Sequence, residues 1–154
     1  MIKDIYLLVG GEATRLRPLS EGIPKALLTI KGRLLIDLIL ENLEESNLDN
    51  INLICSIKHE SYWKDYKKNS KYKVNLHFEH EKLDTGGYVV QNIENFEDKF
   101  LCMNGDLLID MNFESFMEVT KSSKNSTICS IPVEDPSRYG VLELKDTKII
   151  NFIE

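Results

Sequence analysis

An apolar segment that ends in two glycines lies near the start of the chain and limits its fold most strongly. Residues 5–9 read Ile-Tyr-Leu-Leu-Val, and Gly10 and Gly11 follow directly. A near-continuous apolar run is typical of a strand buried in a parallel sheet. Paired glycines after such a strand let backbone N–H groups surround an anion, because no Cβ atom obstructs them. The segment therefore predicts an α/β fold with a phosphate-binding loop after its first strand.

Two basic side chains follow this loop and add positive charge beside its amides. They are Arg15 and Lys25, and they stand near Pro18 and Pro24. The loop does not match two familiar phosphate-binding patterns. The dinucleotide-binding fingerprint requires a third glycine that opens a helix, and the P-loop requires Gly-Lys followed by Ser or Thr. The predicted loop therefore belongs to another class of phosphate site.

Apolar runs of strand length recur along the chain, and segments with helical spacing separate them. The runs cover residues 5–9, 51–57, 72–78 and 100–103. Helical spacing is found over residues 34–43, 60–69, 88–93 and 113–119. This alternation predicts a Rossmann-like, mostly parallel sheet with helices on both faces.

The last part of the chain has a different pattern. It contains three β-like stretches separated by turn residues, over residues 127–133, 140–144 and 148–153. We therefore expect a mixed sheet with a β-rich C-terminal part. The length of 154 residues, with no visible repeat or linker, predicts one domain over residues 1–154.

Charge and composition exclude several classes of partner. The formal net charge of −6 opposes non-specific nucleic-acid binding, which requires a basic surface. No apolar segment approaches the roughly 20 residues that cross a bilayer, and the first residues lack the basic and apolar regions of an export signal. We therefore expect a cytoplasmic protein with neither a nucleic-acid nor a membrane partner.

The three cysteines are expected to be core thiols. Cys55, Cys102 and Cys129 each lie inside an apolar run. None belongs to a Cys-x-x-Cys pair or has a histidine at ligand spacing. Reduced thiols are therefore predicted rather than a disulfide or a zinc site.

Four segments, taken in order, resemble the sugar-phosphate nucleotidyltransferase family. They are residues 10–25, Leu-Asp-Thr-Gly-Gly at 83–87, Asn-Gly-Asp at 104–106, and residues 135–141 together with 152–154. The resemblance implies a glycosyltransferase-A-like nucleotidyltransferase fold, with the motifs at the carboxyl ends of strands. It also implies that a nucleoside triphosphate and a sugar 1-phosphate give a nucleotide sugar and pyrophosphate. The motifs are most similar to those of the heptose 1-phosphate and mannose 1-phosphate guanylyltransferases.

The resemblance implies three catalytic residues, whose task is to neutralise charge and position the phosphates. Arg15 binds the β- and γ-phosphates as a planar fork, and Lys25 neutralises phosphate charge as a point cation. Asp106 binds the Mg²⁺ cofactor together with substrate phosphates. A turn aspartate that caps its own backbone is the alternative for Asp106, because Asn-Gly-Asp is also a turn sequence.

The same motifs imply the remaining contacts. The nucleotide-binding residues are Leu8, Gly10, Gly11, Glu12, Ala13, Thr14, Arg15, Thr85, Gly86 and Gly87. The substrate-binding residues are Lys25, Asn104, Gly105, Tyr139 and Gly140. As a helix N-cap, Thr85 has a structural role that is compatible with nucleotide contact through the two glycines.

Two carboxylates are candidates for recognition of the base. Glu79 and Glu81 precede the Leu-Asp-Thr-Gly-Gly segment, and relatives read the base just ahead of this segment. A carboxylate accepts paired hydrogen bonds from N1–H and the 2-amino group of guanine, whereas uracil and thymine offer one imide N–H. We therefore predict GTP as the nucleotide, with a solvated charged loop as the alternative for this segment.

Two residues depart from the family pattern, which has glycine at both positions. Ala13 costs about 1–2 kcal/mol if its φ is positive. Asp84 repels a triphosphate by roughly 4 kcal/mol at about 4 Å and an effective dielectric near 20, unless it points away or is screened by a metal or a lysine.

The family also continues beyond position 154 with sugar-binding and metal-binding residues, which we expect this chain to lack. A non-catalytic nucleotide- or sugar-phosphate-binding relative, or an inactive fragment of a longer enzyme, is therefore the alternative function. Because relatives often associate, the resemblance also implies a homo-oligomer as one state of the protein.

Overall fold

The structure of this protein is a computed structural model that describes residues 2–13, 20, 22–137 and 139–153. The chain divides into two compact units, Met1–Ser122 and Ser123–Glu154. The first unit contains a parallel sheet with its helices, and the second contains a β-hairpin. One domain over residues 1–154 stays a prediction.

A four-stranded parallel sheet forms the centre of the first unit. The strands of the chain are β1 (Asp4–Leu8), β2 (Thr29–Ile30), β3 (Arg33–Leu34), β4 (Asn50–Ser56), β5 (Val74–Glu79), β6 (Leu101–Asn104), β7 (Val141–Lys145) and β8 (Lys148–Ile153). The sheet has the order β5-β4-β1-β6, and its neighbours pair in parallel. Its strands begin and end within two residues of the predicted runs. The α/β class is therefore confirmed.

The helices also follow the predicted spacing. They are α1 (Leu35–Asn42), α2 (Glu60–Asn69), α3 (Gly87–Gln91) and α4 (Phe113–Ser122). The prediction of Thr85 as a helix N-cap is wrong, since α3 is capped by Gly86 at φ 82° without a side-chain hydrogen bond. Glycine adopts this left-handed conformation without the strain that a Cβ atom causes. Within the described residues, no helix has the length and apolar character needed to cross a bilayer.

One face of the sheet forms the hydrophobic core. Side chains alternate between the two faces of a strand, and Ile5, Leu7 and Leu53 point to this face and are fully buried. Helices α1 and α2 cover it, with Ile36 and Trp63 completely buried. The two helices thus fix the positions of β1 and β4, whose carboxyl ends lie at one edge of the sheet.

The opposite face carries polar and aromatic side chains. Asn52 on β4 accepts a hydrogen bond from Asn75 at 3.2 Å and contacts His77 Nε2 at 3.0 Å. The ring of His77 lies 6.1 Å from that of Tyr88 on α3. Burial and the charge of Lys67 lower the pKa of His77. Helices therefore pack on both faces, as predicted.

The second unit is less regular than predicted. Strands β7 and β8 form the expected antiparallel hairpin, but residues 127–133 form no strand. No strand is paired with this segment in the described part of the chain, and Ile131 is 77% exposed. An apolar alternation alone does not make a strand, because its backbone groups need a pairing partner.

The three cysteines are free, but only Cys55 is buried. The expectation of core thiols is wrong for Cys102 and Cys129, which are exposed. Cys102 lies on the edge strand β6, and Cys129 lies in the segment that forms no strand. Apolar neighbours in the sequence therefore do not bury a thiol on an edge strand or in a segment that forms no strand.

Candidate functional site

A cavity of about 370 Å³ lies at the carboxyl ends of the parallel strands. All four strands contribute to it, through Leu8 on β1, Ile54 on β4, Glu79 on β5 and Asn104 on β6. The other lining residues follow these strands and are Gly10, Gly11, Lys82, Leu83, Asp84, Thr85 and Asp106. Open α/β sheets bind ligands at this edge. The cavity is therefore the candidate functional site.

The paired glycines line the cavity with backbone atoms. A Cβ atom on Gly10 would lie 3.0 Å from Oε2 of Glu79, whereas a Cβ atom on Gly11 would meet nothing within 4 Å. The carbonyl of Gly11 accepts a hydrogen bond from the backbone N–H of Lys25 at 3.3 Å. The glycine loop is thereby tied to the segment that carries the predicted catalytic lysine.

Lys25 and Asp106 form an ion pair across 81 residues of sequence. The distance from Nζ of Lys25 to Oδ2 of Asp106 is 2.6 Å, and both side chains are a little over one third exposed. Both are predicted catalytic residues, and the fold brings them together. Because the pair is only partly buried, a phosphate can compete for the lysine and a cation can compete for the aspartate.

The position of Asp106 depends on Gly105. The N–H of Gly105 donates to the carbonyl of Leu8 at 2.9 Å. A Cβ atom on Gly105 would lie 2.3 Å from Cγ1 of Val9 and 3.1 Å from the Leu8 oxygen. Only glycine fits this turn against β1, so the structure gives Gly105 a packing role that positions Asp106.

Asp106 is the one predicted metal ligand, and its side chain lines the edge of the cavity. The described residues contain no cluster of three His, Cys, Asp or Glu side chains that would hold a metal alone. Mg²⁺ does not require such a cluster, because it binds through one or two carboxylates with substrate phosphates and water. One carboxylate at the edge of the cavity therefore fits Mg²⁺ that arrives with a phosphate ligand.

Of the two candidate carboxylates for base recognition, Glu79 lines the cavity and Glu81 does not. Glu79 is the last residue of β5, and its carboxylate packs against Gly10 inside the cavity. Burial raises the pKa of Glu79. Burial, and then the nearby charge of Glu79, raise the pKa of the Tyr88 phenol. Glu81 is exposed and does not line the cavity.

Asp84 tolerates its position because aspartate adopts left-handed backbone more readily than most residues. Its φ is 55°, a conformation in which aspartate is enriched. Its carboxylate lies 3.5 Å from Nζ of Lys82, and both side chains are more than four-fifths exposed. The lysine offsets the charge of Asp84, so the repulsion expected for an unpartnered carboxylate is reduced.

Ala13 has none of the strain expected for a positive φ. The non-glycine residues with positive φ in the described part of the chain are Lys31, Asn47, Asp84 and Asp146. Ala13 is 6% exposed and its carbonyl accepts a hydrogen bond from Ser20 at 2.5 Å. Alanine is therefore compatible with the loop backbone.

Five further predicted residues are Glu12, Thr14, Arg15, Tyr139 and Gly140. Thr14 and Arg15 lie outside the described residues. Glu12 is exposed and forms an ion pair with Lys58 at 3.6 Å. In the second unit, Tyr139 is 61% exposed, and Gly140 packs against the ring of Phe152.

Three lining residues were missed by sequence reasoning, namely Ile54, Lys82 and Leu83. Ile54 could have been found from its strand, because the carboxyl ends of parallel strands share one edge. Lys82 lies directly before the motif at residues 83–87. Nothing in the residue types of these three distinguishes them from ordinary core or surface positions.

The two ends of the cavity are far apart. Strands β5 and β6 are the outer strands of the sheet, and three strand spacings separate them by roughly 14 Å. Glu79 and Asp106 lie at these opposite ends, and the glycine loop after β1 lies between them. A ligand that contacts all three must be elongated.

Comparison with known proteins agrees with this geometry. A sequence model of the family described as nucleotidyl transferase matches residues 5–154. A mannose-1-phosphate guanylyltransferase catalytic subunit beta of Xenopus tropicalis is 30% identical over 96% of this chain and 44% of its own length. A bifunctional protein GlmU of Methanocaldococcus jannaschii is 31% identical over 98% of this chain and 35% of its own length. This chain thus spans between about a third and under half of these relatives.

Solved structures have the same fold. HddC from Yersinia pseudotuberculosis, crystallised in complex with GMP-PN, superimposes with a TM-score of 0.76 at 27% sequence identity. The superposition covers 99% of this chain and 69% of HddC. The nucleotidyltransferase architecture predicted from the motifs is therefore confirmed.

Proposed function

Because this chain belongs to the nucleotidyl transferase family, we propose that it transfers a nucleotidyl group from GTP to a sugar 1-phosphate of the heptose or mannose type. The products are a nucleotide sugar and pyrophosphate. One observation carries the proposal: a single cavity is lined by Glu79, the paired glycines and Asp106, and Asp106 is ion-paired with Lys25. The guanosine nucleotide of the HddC complex and the mannose 1-phosphate named for the Xenopus relative support this choice of substrates.

The reaction needs no nucleophile from the protein. An oxygen of the sugar phosphate attacks the α-phosphorus in line, the bond from that phosphorus to the β-phosphate oxygen breaks, and pyrophosphate leaves with the electron pair. Two anions must approach each other, so the protein contributes mainly by positioning them and by neutralising charge.

The phosphate end of the cavity supplies this neutralisation. The backbone at Gly10 and Gly11 faces the cavity without a side chain, which leaves its N–H groups free to approach phosphate oxygens. Lys25 turns from Asp106 toward the phosphates as they bind. Arg15, outside the described residues, contacts the leaving β- and γ-phosphates in this proposal.

Asp106 would hold Mg²⁺ in the complex. When bound, Mg²⁺ supplies positive charge to the triphosphate. The ion pair with Lys25 holds the Asp106 carboxylate at the edge of the same cavity before the nucleotide arrives. The Lys25 ammonium that neutralised this carboxylate is then available to the phosphates.

The base lies at the other end of the cavity. The carboxylate of Glu79 accepts hydrogen bonds from N1–H and the 2-amino group of guanine. Glu81, exposed and outside the lining, has no such role. Asn104, Gly105, Tyr139 and Gly140 stay predicted contacts of the sugar 1-phosphate.

The proposal is tested by pyrophosphate release. The protein is incubated with Mg²⁺, with mannose 1-phosphate or heptose 1-phosphate, and with GTP, ATP, CTP or UTP in turn. Release that is fastest with GTP is the expected result. A preference for a pyrimidine nucleotide contradicts the guanine assignment. Binding of GTP without any release would support the non-catalytic binding protein instead.

A further inference from the structure

We propose that Lys82 is a specificity-determining residue that donates a hydrogen bond to the O6 carbonyl of the bound guanine, and that Asp84 positions it. This inference rests on the proposed function, since it assigns a second group to the recognition of the same base. It concerns residues whose role the family motifs leave open, because this chain has Asp84 where the family has glycine.

Lys82 and Asp84 lie at the base end of the cavity. Both line the cavity together with Glu79, which precedes Lys82 by three residues. The phosphate end, with Asp106, lies across the sheet beyond β4 and β1. A side chain on the β5–α3 loop is therefore placed to contact the base rather than the phosphates.

The backbone of this loop is closely constrained. Asp84 has φ 55° and Gly86 has φ 82°. A Cβ atom on Gly87 would lie 2.7 Å from Cβ of Leu83, so the two ends of the loop are in contact. The direction in which Asp84 projects is thus set by the loop, and its carboxylate lies 3.5 Å from the Lys82 ammonium.

Asp84 orients the Lys82 ammonium through a weak ion pair. The side chains of Lys82 and Asp84 are 90% and 85% exposed, and an exposed ion pair is weak because water screens it. The lysine can therefore leave its partner for a ligand at low cost. Asp84 keeps the ammonium near the opening of the cavity until the base enters.

Lys82 and Glu79 together complement one edge of guanine. Guanine presents the O6 acceptor beside the N1–H and 2-amino donors, and a lysine donor and a carboxylate acceptor that line the same cavity complement these groups. Adenine presents its N6 amino donor where guanine has O6, so the lysine would face a donor. Uracil has a single imide N–H for the carboxylate.

The experiment measures the affinity of GTP, 6-thio-GTP and UTP for the protein by calorimetry in the presence of Mg²⁺. Replacement of O6 by sulfur weakens the acceptor that Lys82 contacts and leaves the phosphates unchanged. For the wild type we expect GTP to bind about tenfold more tightly than 6-thio-GTP, as a charge-assisted hydrogen bond implies. Lys82→Met should bind GTP about tenfold more weakly and should no longer distinguish the two guanosine analogues.

Three further variants complete the test. Lys82→Arg keeps the donor and should keep most of the GTP preference. Asp84→Asn keeps the left-handed backbone but loses the charge, so it should reduce the preference less than Lys82→Met does. Lys64→Met removes another exposed, ion-paired lysine on α2 and should leave all three affinities unchanged.

The outcomes separate this inference from the proposed function. If Lys82→Met weakens GTP, 6-thio-GTP and UTP by the same factor, Lys82 acts on the shared phosphates and the inference is overturned. If Lys82→Met binds GTP like the wild type, the inference is also overturned, while the proposed function stands. A wild type that binds none of the triphosphates overturns both.

Discussion

The proposed reaction depends on the ion pair between Lys25 and Asp106. Lys25→Met should lower kcat/KM for pyrophosphate release by about 10²-fold, because the developing phosphate charge loses a fixed cation. Lys25→Arg should recover part of the loss. Steady-state kinetics with GTP and the sugar 1-phosphate measure the effect.

The chain offers a matched control for this substitution. Lys3 forms a similar pair with Asp49 at 2.8 Å, outside the cavity. Lys3→Met should change kcat/KM by less than about twofold, as expected for a surface position away from the site. Equal losses in the two variants would show that Lys25 acts on stability and not on the phosphates.

The affinity for GTP should depend on the ionisation of Glu79. Burial raises the pKa of Glu79 above its ordinary value of 4.5, and guanine requires the ionised form as acceptor. The contribution of the Glu79 carboxylate to GTP affinity is therefore complete above the raised pKa and is lost as the pH falls through it. Affinity for GTP relative to UTP, which shares the phosphates, should decline as the pH falls from neutrality.

Glu79→Gln provides the control for this pH dependence. The amide cannot ionise, so the ratio of GTP to UTP affinity should be lower than in the wild type and flat over the same pH range. A ratio that declines equally in both proteins would assign the pH dependence to another group.

Some site residues were predictable one by one, and others were not. Asp106 and the paired glycines were predicted because strand ends and phosphate chemistry restrict the residue types, whereas Glu79 was predicted, together with Glu81, from the resemblance to the family. The contact of Asp84 with Lys82 was not predicted. It depends on the left-handed φ of Asp84 and on the direction of its side chain, and both are set by the folded loop.

The turn after β6 packs against β1, where the N–H of Gly105 donates to the carbonyl of Leu8. Gly105→Ala should lower the free energy of unfolding by about 1–3 kcal/mol, because the added Cβ atom overlaps Cγ1 of Val9. The midpoint of urea denaturation measures this loss. Gly11→Ala adds the same methyl group where no atom lies within 4 Å, and should change the free energy by less than about 0.5 kcal/mol. Equal losses in both variants would contradict the role of Gly105.

Strand positions were predictable, but strand pairing was not. Apolar runs mark β1, β4, β5 and β6 because each strand is buried within the sheet. The order β5-β4-β1-β6 follows from contacts between distant segments, which periodicity does not contain. Residues 127–133 show the same limit, since their strand-like pattern has no pairing partner in the described part of the chain.

In the whole molecule, the sheet explains why motifs up to about 100 residues apart in sequence form one site. Parallel strands end at the same edge, so the loops after β1, β5 and β6 meet around one cavity. The division into the units Met1–Ser122 and Ser123–Glu154 was not predicted. The β-rich pattern of the last part predicted a change in secondary structure, but it did not predict that this part forms a compact unit of its own.

Amide chemical shifts report whether this cavity binds a guanosine triphosphate. The labelled protein is titrated with GTP and Mg²⁺. We predict that the largest shift changes fall on residues 8–11, 79–85 and 104–106, and that UTP produces smaller changes over residues 79–85. Changes confined to other parts of the chain, or no change at saturating GTP, would contradict the account.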